Sequence, residues 1–87
     1  MLRLLIERDE KENVKRGAFW AAEGAMEDLI QVGLPAVRTH SFTMIAEPTG
    51  DGFTRVTITL TGEQDILPVV PALEGLNWAV TVTGDGT

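Results

Sequence analysis

Eighty-seven residues make one small domain, with a thin stability margin that oligomerisation would supplement. The 44% hydrophobic content is that of a globular chain, and no run approaches the roughly 18–20 apolar residues that span a bilayer. Thirteen acidic residues against seven basic ones give a net charge of −6, which repels phosphate backbones and anionic membranes and argues against nucleic-acid and membrane partners.

The chain has no cysteine. Disulfides, thiolate metal sites and cysteine nucleophiles are thereby excluded, and a cytoplasmic location is the expectation. The opening MLRLLIERDE has no long apolar run and no small-residue cleavage site, so it is not expected to act as a signal peptide.

Leu2, Leu4 and Ile6 alternate with Arg3, Leu5 and Glu7, which predicts a strand whose even positions face a core. Asp9 and Glu12 have the spacing of a helix-start box. One long amphipathic helix is therefore expected from Glu10 to Val32, closed by Gly33 and kept from resuming by Pro35. On a helical wheel Val14, Ala18, Ala21, Ala25, Leu29 and Val32 share the core face, and Phe19, Ala22, Met26 and Ile30 widen it.

Trp20 falls on the other side, among Asn13, Arg16, Glu23, Glu27 and Gln31, with Gly17 and Gly24 at i−3 and i+4. A large aromatic ring on a polar face points to a contact surface. The candidate partner-binding residues are Trp20, Arg16, Gly17, Glu23, Gly24 and Glu27. Each interior glycine costs about 1 kcal/mol relative to alanine, so the helix is expected either to bend there or to be closely packed.

Residues 37–46 alternate again, with Arg38, His40, Phe42, Met44 and Ala46 on one face and Val37, Thr39, Ser41, Thr43 and Ile45 on the other. Glu47 to Gly52 reads as a turn, and Phe53 to Thr61 as the returning strand of a hairpin. Between Gly62 and Gly75 the spacing of Ile66, Val69, Val70 and Leu73 is helical. Pro68 and Pro71 restrict that to a short or irregular helix starting near Pro68 and ended by Gly75. Trp78, Val80 and Val82 mark a last strand with Trp78 at the core, and residues 84–87 form a frayed tail after a single domain of residues 1–83.

The order strand, helix, strand, strand, helix, strand contains two interlocked right-handed crossover units. It predicts a single-domain α+β, ferredoxin-like βαββαβ fold: a four-stranded antiparallel sheet with both helices on one face. The open face would carry Arg3, Leu5, Glu7, Arg55, Thr57, Thr59, Ala79, Thr81 and Thr83. It is either solvated or a dimer surface.

Specific chemistries lack their residues. TGDG occurs at Thr49–Gly52 and Thr83–Gly86, but one carboxylate per loop is too few for a hard cation, and both read as turns. His40 is the sole histidine, so no metal site and no cofactor is expected; a weak enzyme using His40 is a minority reading. Glu23/Glu27 and Glu27/Asp28 read as solvated surface charge. RNA recognition would need aromatics on the open sheet face, where Phe53 stands alone. The heavy-metal-binding version of the fold needs two cysteines, and the acylphosphatase version a glycine- and arginine-containing loop after the first strand.

The resulting expectation is a small non-enzymatic protein–protein interaction domain with a protein partner, self-associating through the first helix or the open sheet. Its size and acidity are those of an accessory or inhibitor protein of a phage or mobile element. The alternatives are a small-ligand-binding regulatory domain working as a homodimer, and a structural subunit of a larger assembly such as a virion.

Overall fold

The computed structural model describes residues 1–11, 18–34 and 39–84; the side chains of 18–20 and 39–40 are outside that description. The elements are β1 (Leu2–Lys11), α1 (Ala18–Gln31), β2 (Thr39–Pro48), β3 (Phe53–Gly62), α2 (Val69–Glu74) and β4 (Ala79–Gly84), with one 3-10 turn at Gln64–Ile66. The four strands pair antiparallel in the order β2-β3-β1-β4. This is the ferredoxin-like arrangement, with β1 and β3 central and β2 and β4 at the edges.

Parity builds the core. Leu4 and Ile6 of β1 stand opposite Leu60 and Ile58 of β3 and are fully buried with Val56. Val82 and Val80 of β4 oppose the same two β1 residues, and Phe42, Met44 and Ala46 of β2 oppose Leu60, Ile58 and Val56. Every even position thus faces the helices, and the edge strands bury less than the central pair. Ala21, Ala25, Leu29 and Leu34 close this layer from α1 and the turn after it, and Ile66, Val69 and Leu73 from the second crossover. Burial of these apolar side chains at about 25 cal/mol per Å² supplies the main driving force for folding.

The first strand is longer than its alternation suggests. Asp9 does not cap a helix; it lies in β1 opposite Arg55, and the ladder continues through Glu10↔Thr54 to Lys11↔Phe53. The Asp9 carboxylate accepts from Arg55 Nε at 2.9 Å and Nη2 at 3.4 Å. A ladder with the central strand β3 and this cross-strand pair win over a local cap. The helix expected from Glu10 therefore begins beyond Lys11. Glu12, Val14, Arg16 and Gly17 lie outside the described residues.

The predicted stops hold. Gly33 follows α1 with φ +84° and donates to the Ile30 carbonyl at 3.0 Å. Gly50 and Gly52 take φ +86° and +94° in the β2–β3 turn, where Thr49 N–H donates to the Phe53 carbonyl at 2.9 Å. That copy of TGDG is a turn, and the second runs past the described residues after Gly84. Gly84 itself pairs with Leu2, so the last strand takes one residue from the expected tail.

In α2, Pro71 sits in the first turn, where an amide would lack an intrahelical partner. Gly75 does end this helix, but in a right-handed conformation. The left-handed residue is Asn77, φ +71°, which turns the chain into Trp78. Asparagine tolerates that region better than other side-chain-bearing residues. Among the described residues nothing lies within 4 Å of where a Gly24 side chain would stand.

Candidate functional site

Three surfaces carry functional groups. The first is the notch where β1 runs on past the start of β4. Because β4 pairs with β1 only from Glu7 to Leu2, residues 8–11 of β1 have one free edge. An open concavity of about 920 Å³ lies there, lined by both signs of charge. Its centre is Arg8, which continues the core parity of Leu4 and Ile6 with a cation. Arg8 Nη1 donates to the Leu76 carbonyl at 2.8 Å and forms an ion pair with Asp28 Oδ2 at 2.8 Å. Its Nε donates to Glu10, and its guanidinium lies 4.0 Å from the centroid of the Trp78 ring. Trp78 is 3% exposed and donates from Nε1 to Asp28 Oδ2 at 3.2 Å.

One oxygen of Asp28 thus meets both the Arg8 cation and the Trp78 N–H, and Arg8 ties β1 to α1 and to the loop before β4. The groups are already committed to one another, so the notch is a clamp and not a poised acid–base pair. Its residues were legible only in part: Trp78 was expected at the core, Arg8 was not singled out, and Asp28, expected as solvated surface charge, is instead half-buried between Arg8 and Trp78. The available signal was a charge at a core-parity position of the first strand.

The second surface is the outer flank of α1. Because the Asp28 side of the helix is held against Arg8 and Trp78, the opposite flank turns outward. Met26 and Ile30 were expected to widen the core face; they are instead 43% and 61% exposed. Ala22, Glu23, Met26 and Glu27 line a shallow depression of about 340 Å³. Glu23 and Glu27 are exposed, and among the described residues neither forms an ion pair. Of the six candidate contact residues, Glu23, Gly24 and Glu27 therefore share one described helix. Trp20 is in α1 by its backbone, its side chain lies outside the described residues, and Arg16 and Gly17 lie outside them entirely.

The third surface is the open face of the sheet. Register aligns its odd positions in rows: Ser41–Thr61–Arg3–Thr83, Thr43–Thr59–Leu5–Thr81 and Ile45–Thr57–Glu7–Ala79. The Ser41 and Thr61 hydroxyls are 2.6 Å apart, as cross-strand neighbours on one face must be. Arg55, on the same face, has its pKa raised above the usual arginine value, chiefly by its hydrogen bond to Asp9 and then by that carboxylate's charge.

His40 coincides with a register shift in β2, between Thr39 and Ser41; its ring lies outside the described residues. Among the described residues no group of three histidine, cysteine or acidic side chains could hold a metal ion. No helix among them is long and apolar enough to cross a membrane.

No family model matches the chain, and no curated protein matches it. Among solved structures it is similar to a de novo designed protein, Ferredog-Diesel, at 15% identity over 94% of this chain and 84% of that one, with a TM-score of 0.50. At that identity the likeness shows the ferredoxin-like fold and nothing about activity.

Proposed function

We propose that the chain is a non-catalytic protein-binding domain that engages its partner through the outer flank of α1. The observation that carries this reading is the exposure of Ile30 and Met26 beside the exposed carboxylates of Glu23 and Glu27, which form no ion pair among the described residues. A helix with a fully buried inner face gains nothing for its own fold from large apolar side chains outside. An apolar strip rimmed by acids fits a partner segment with apolar anchors and flanking Lys or Arg. The surface is shallow and open, which suits a helix or loop of another protein better than a small metabolite.

The double variant Met26→Asp/Ile30→Asp is expected to keep its circular dichroism and melting profile. It is expected to lose at least about 100-fold in affinity for the native partner, measured calorimetrically with the purified proteins. Trp20→Ala, on the same helix, is expected to weaken binding about 30-fold, with folding nearly intact. Unchanged affinity in the Met26/Ile30 variant would refute the assignment of this flank.

A further inference from the structure

The geometry points to a second function for the other side of the molecule: we propose that two copies of this chain pair face to face through their open sheet surfaces. The occupant is identified by charge. The chain carries −6 overall, yet on this face three cations, Arg3, Lys11 and Arg55, stand against three carboxylates, Glu7, Glu47 and Asp9. Two copies can approach here without the repulsion their net charge imposes elsewhere.

The order along β1 is self-complementary. Arg3, Leu5 and Glu7 are successive open-face positions of one strand, so Arg3 and Glu7 are about 13 Å apart, too far to pair with each other. Neither forms an ion pair among the described residues. A two-fold axis across the strands through Leu5 and Thr59 lays each sheet on its mate with the strands reversed. It puts Arg3 of one copy over Glu7 of the other, twice, and Thr61 over Thr57. Leu5 and Thr59 then meet their own symmetry mates. This is the isologous contact that a two-fold dimer requires, and sheets stacked about 10 Å apart within about 30° of alignment have this form.

In that register residues 2–8, 39–47, 56–62 and 79–83 overlie their mates, about 450 Å² on each copy or about 900 Å² for the pair, the size of a weak, concentration-dependent contact. The threonines of this face are short and β-branched, and lose little side-chain freedom on being covered. The helices stay outside, so, if the α1 flank binds a partner as proposed above, one dimer presents two such flanks.

Sedimentation equilibrium separates this proposal from the α1 assignment, because its readout involves no partner. The unaltered chain is expected at twice its 9.4 kDa mass. Arg3→Glu and Glu7→Arg each set like charges against each other at both symmetric contacts, and each should raise the dimer dissociation constant at least about 100-fold. Mixed together, the two variants restore both contacts and should form a one-to-one heterodimer of nearly parental affinity. Thr59→Arg, on the axis, should give a folded monomer that mixing does not rescue. A parental chain that is monomeric at millimolar concentration would overturn the proposal. So would single variants that stay dimeric, or folded monomeric variants that fail to associate on mixing.

Discussion

Arg8→Ala is expected to destabilise the fold by about 3 kcal/mol, as a shift of the urea midpoint at unchanged slope. The side chain is only 19% exposed, and its removal takes the nearest cation from Asp28, itself 21% exposed. Asp28 would keep a single donor, Trp78 Nε1, and the Leu76 carbonyl would lose the guanidinium. A half-buried carboxylate without its cation is the costly case, whereas the exposed Asp9–Arg55 pair is screened by water. Arg8→Lys should recover only part of the loss, because an ammonium cannot reach Asp28, Leu76 and Glu10 while stacking on a ring. A loss below about 0.5 kcal/mol for Arg8→Ala would make the cluster surface decoration.

Trp78→Ala should cost still more, about 4 kcal/mol. The indole is buried against the core and is also the lid of the Arg8 cluster. Trp78→Phe keeps most of the packing and loses the Nε1–H donation to Asp28, so it should cost about 1–2 kcal/mol. The Arg8→Ala/Trp78→Ala pair should cost less than the sum, by about 1 kcal/mol or more, since each removes part of the same cluster. Domains of this size are stable by only about 4–13 kcal/mol, so the double variant tests whether the fold survives at all. Strict additivity would show that the ring and the guanidinium do not act together.

The residues that were legible in advance are those whose role is local or periodic. Parity placed Leu4, Ile6, Val56, Ile58 and Leu60 in the core, and positive-φ glycines placed the turns at Gly33, Gly50 and Gly52. Element order then limited the topology to one compact solution. The misreadings came where distant partners decide. Asp9 is a good helix cap locally, but Arg55, 46 positions away, holds it in a strand. Met26 and Ile30 differ from a core assignment by a modest rotation of α1. That rotation is tied to Arg8 and Trp78, which no window of neighbouring residues contains. Of the proposed contact surface, the exposure of Glu23 and Glu27 was readable from the wheel, and the outward turn of Ile30 was not.

The central claim is that the outer flank of α1 is where a partner protein binds. A photoreactive amino acid at position 30, compared with one at position 81 on the open sheet, tests it most directly in cells that make the protein. The account predicts one dominant cross-linked partner from position 30, absent from position 81, where the partner is a second copy of the chain. No specific product from position 30, or the same foreign partner from both positions, would contradict it.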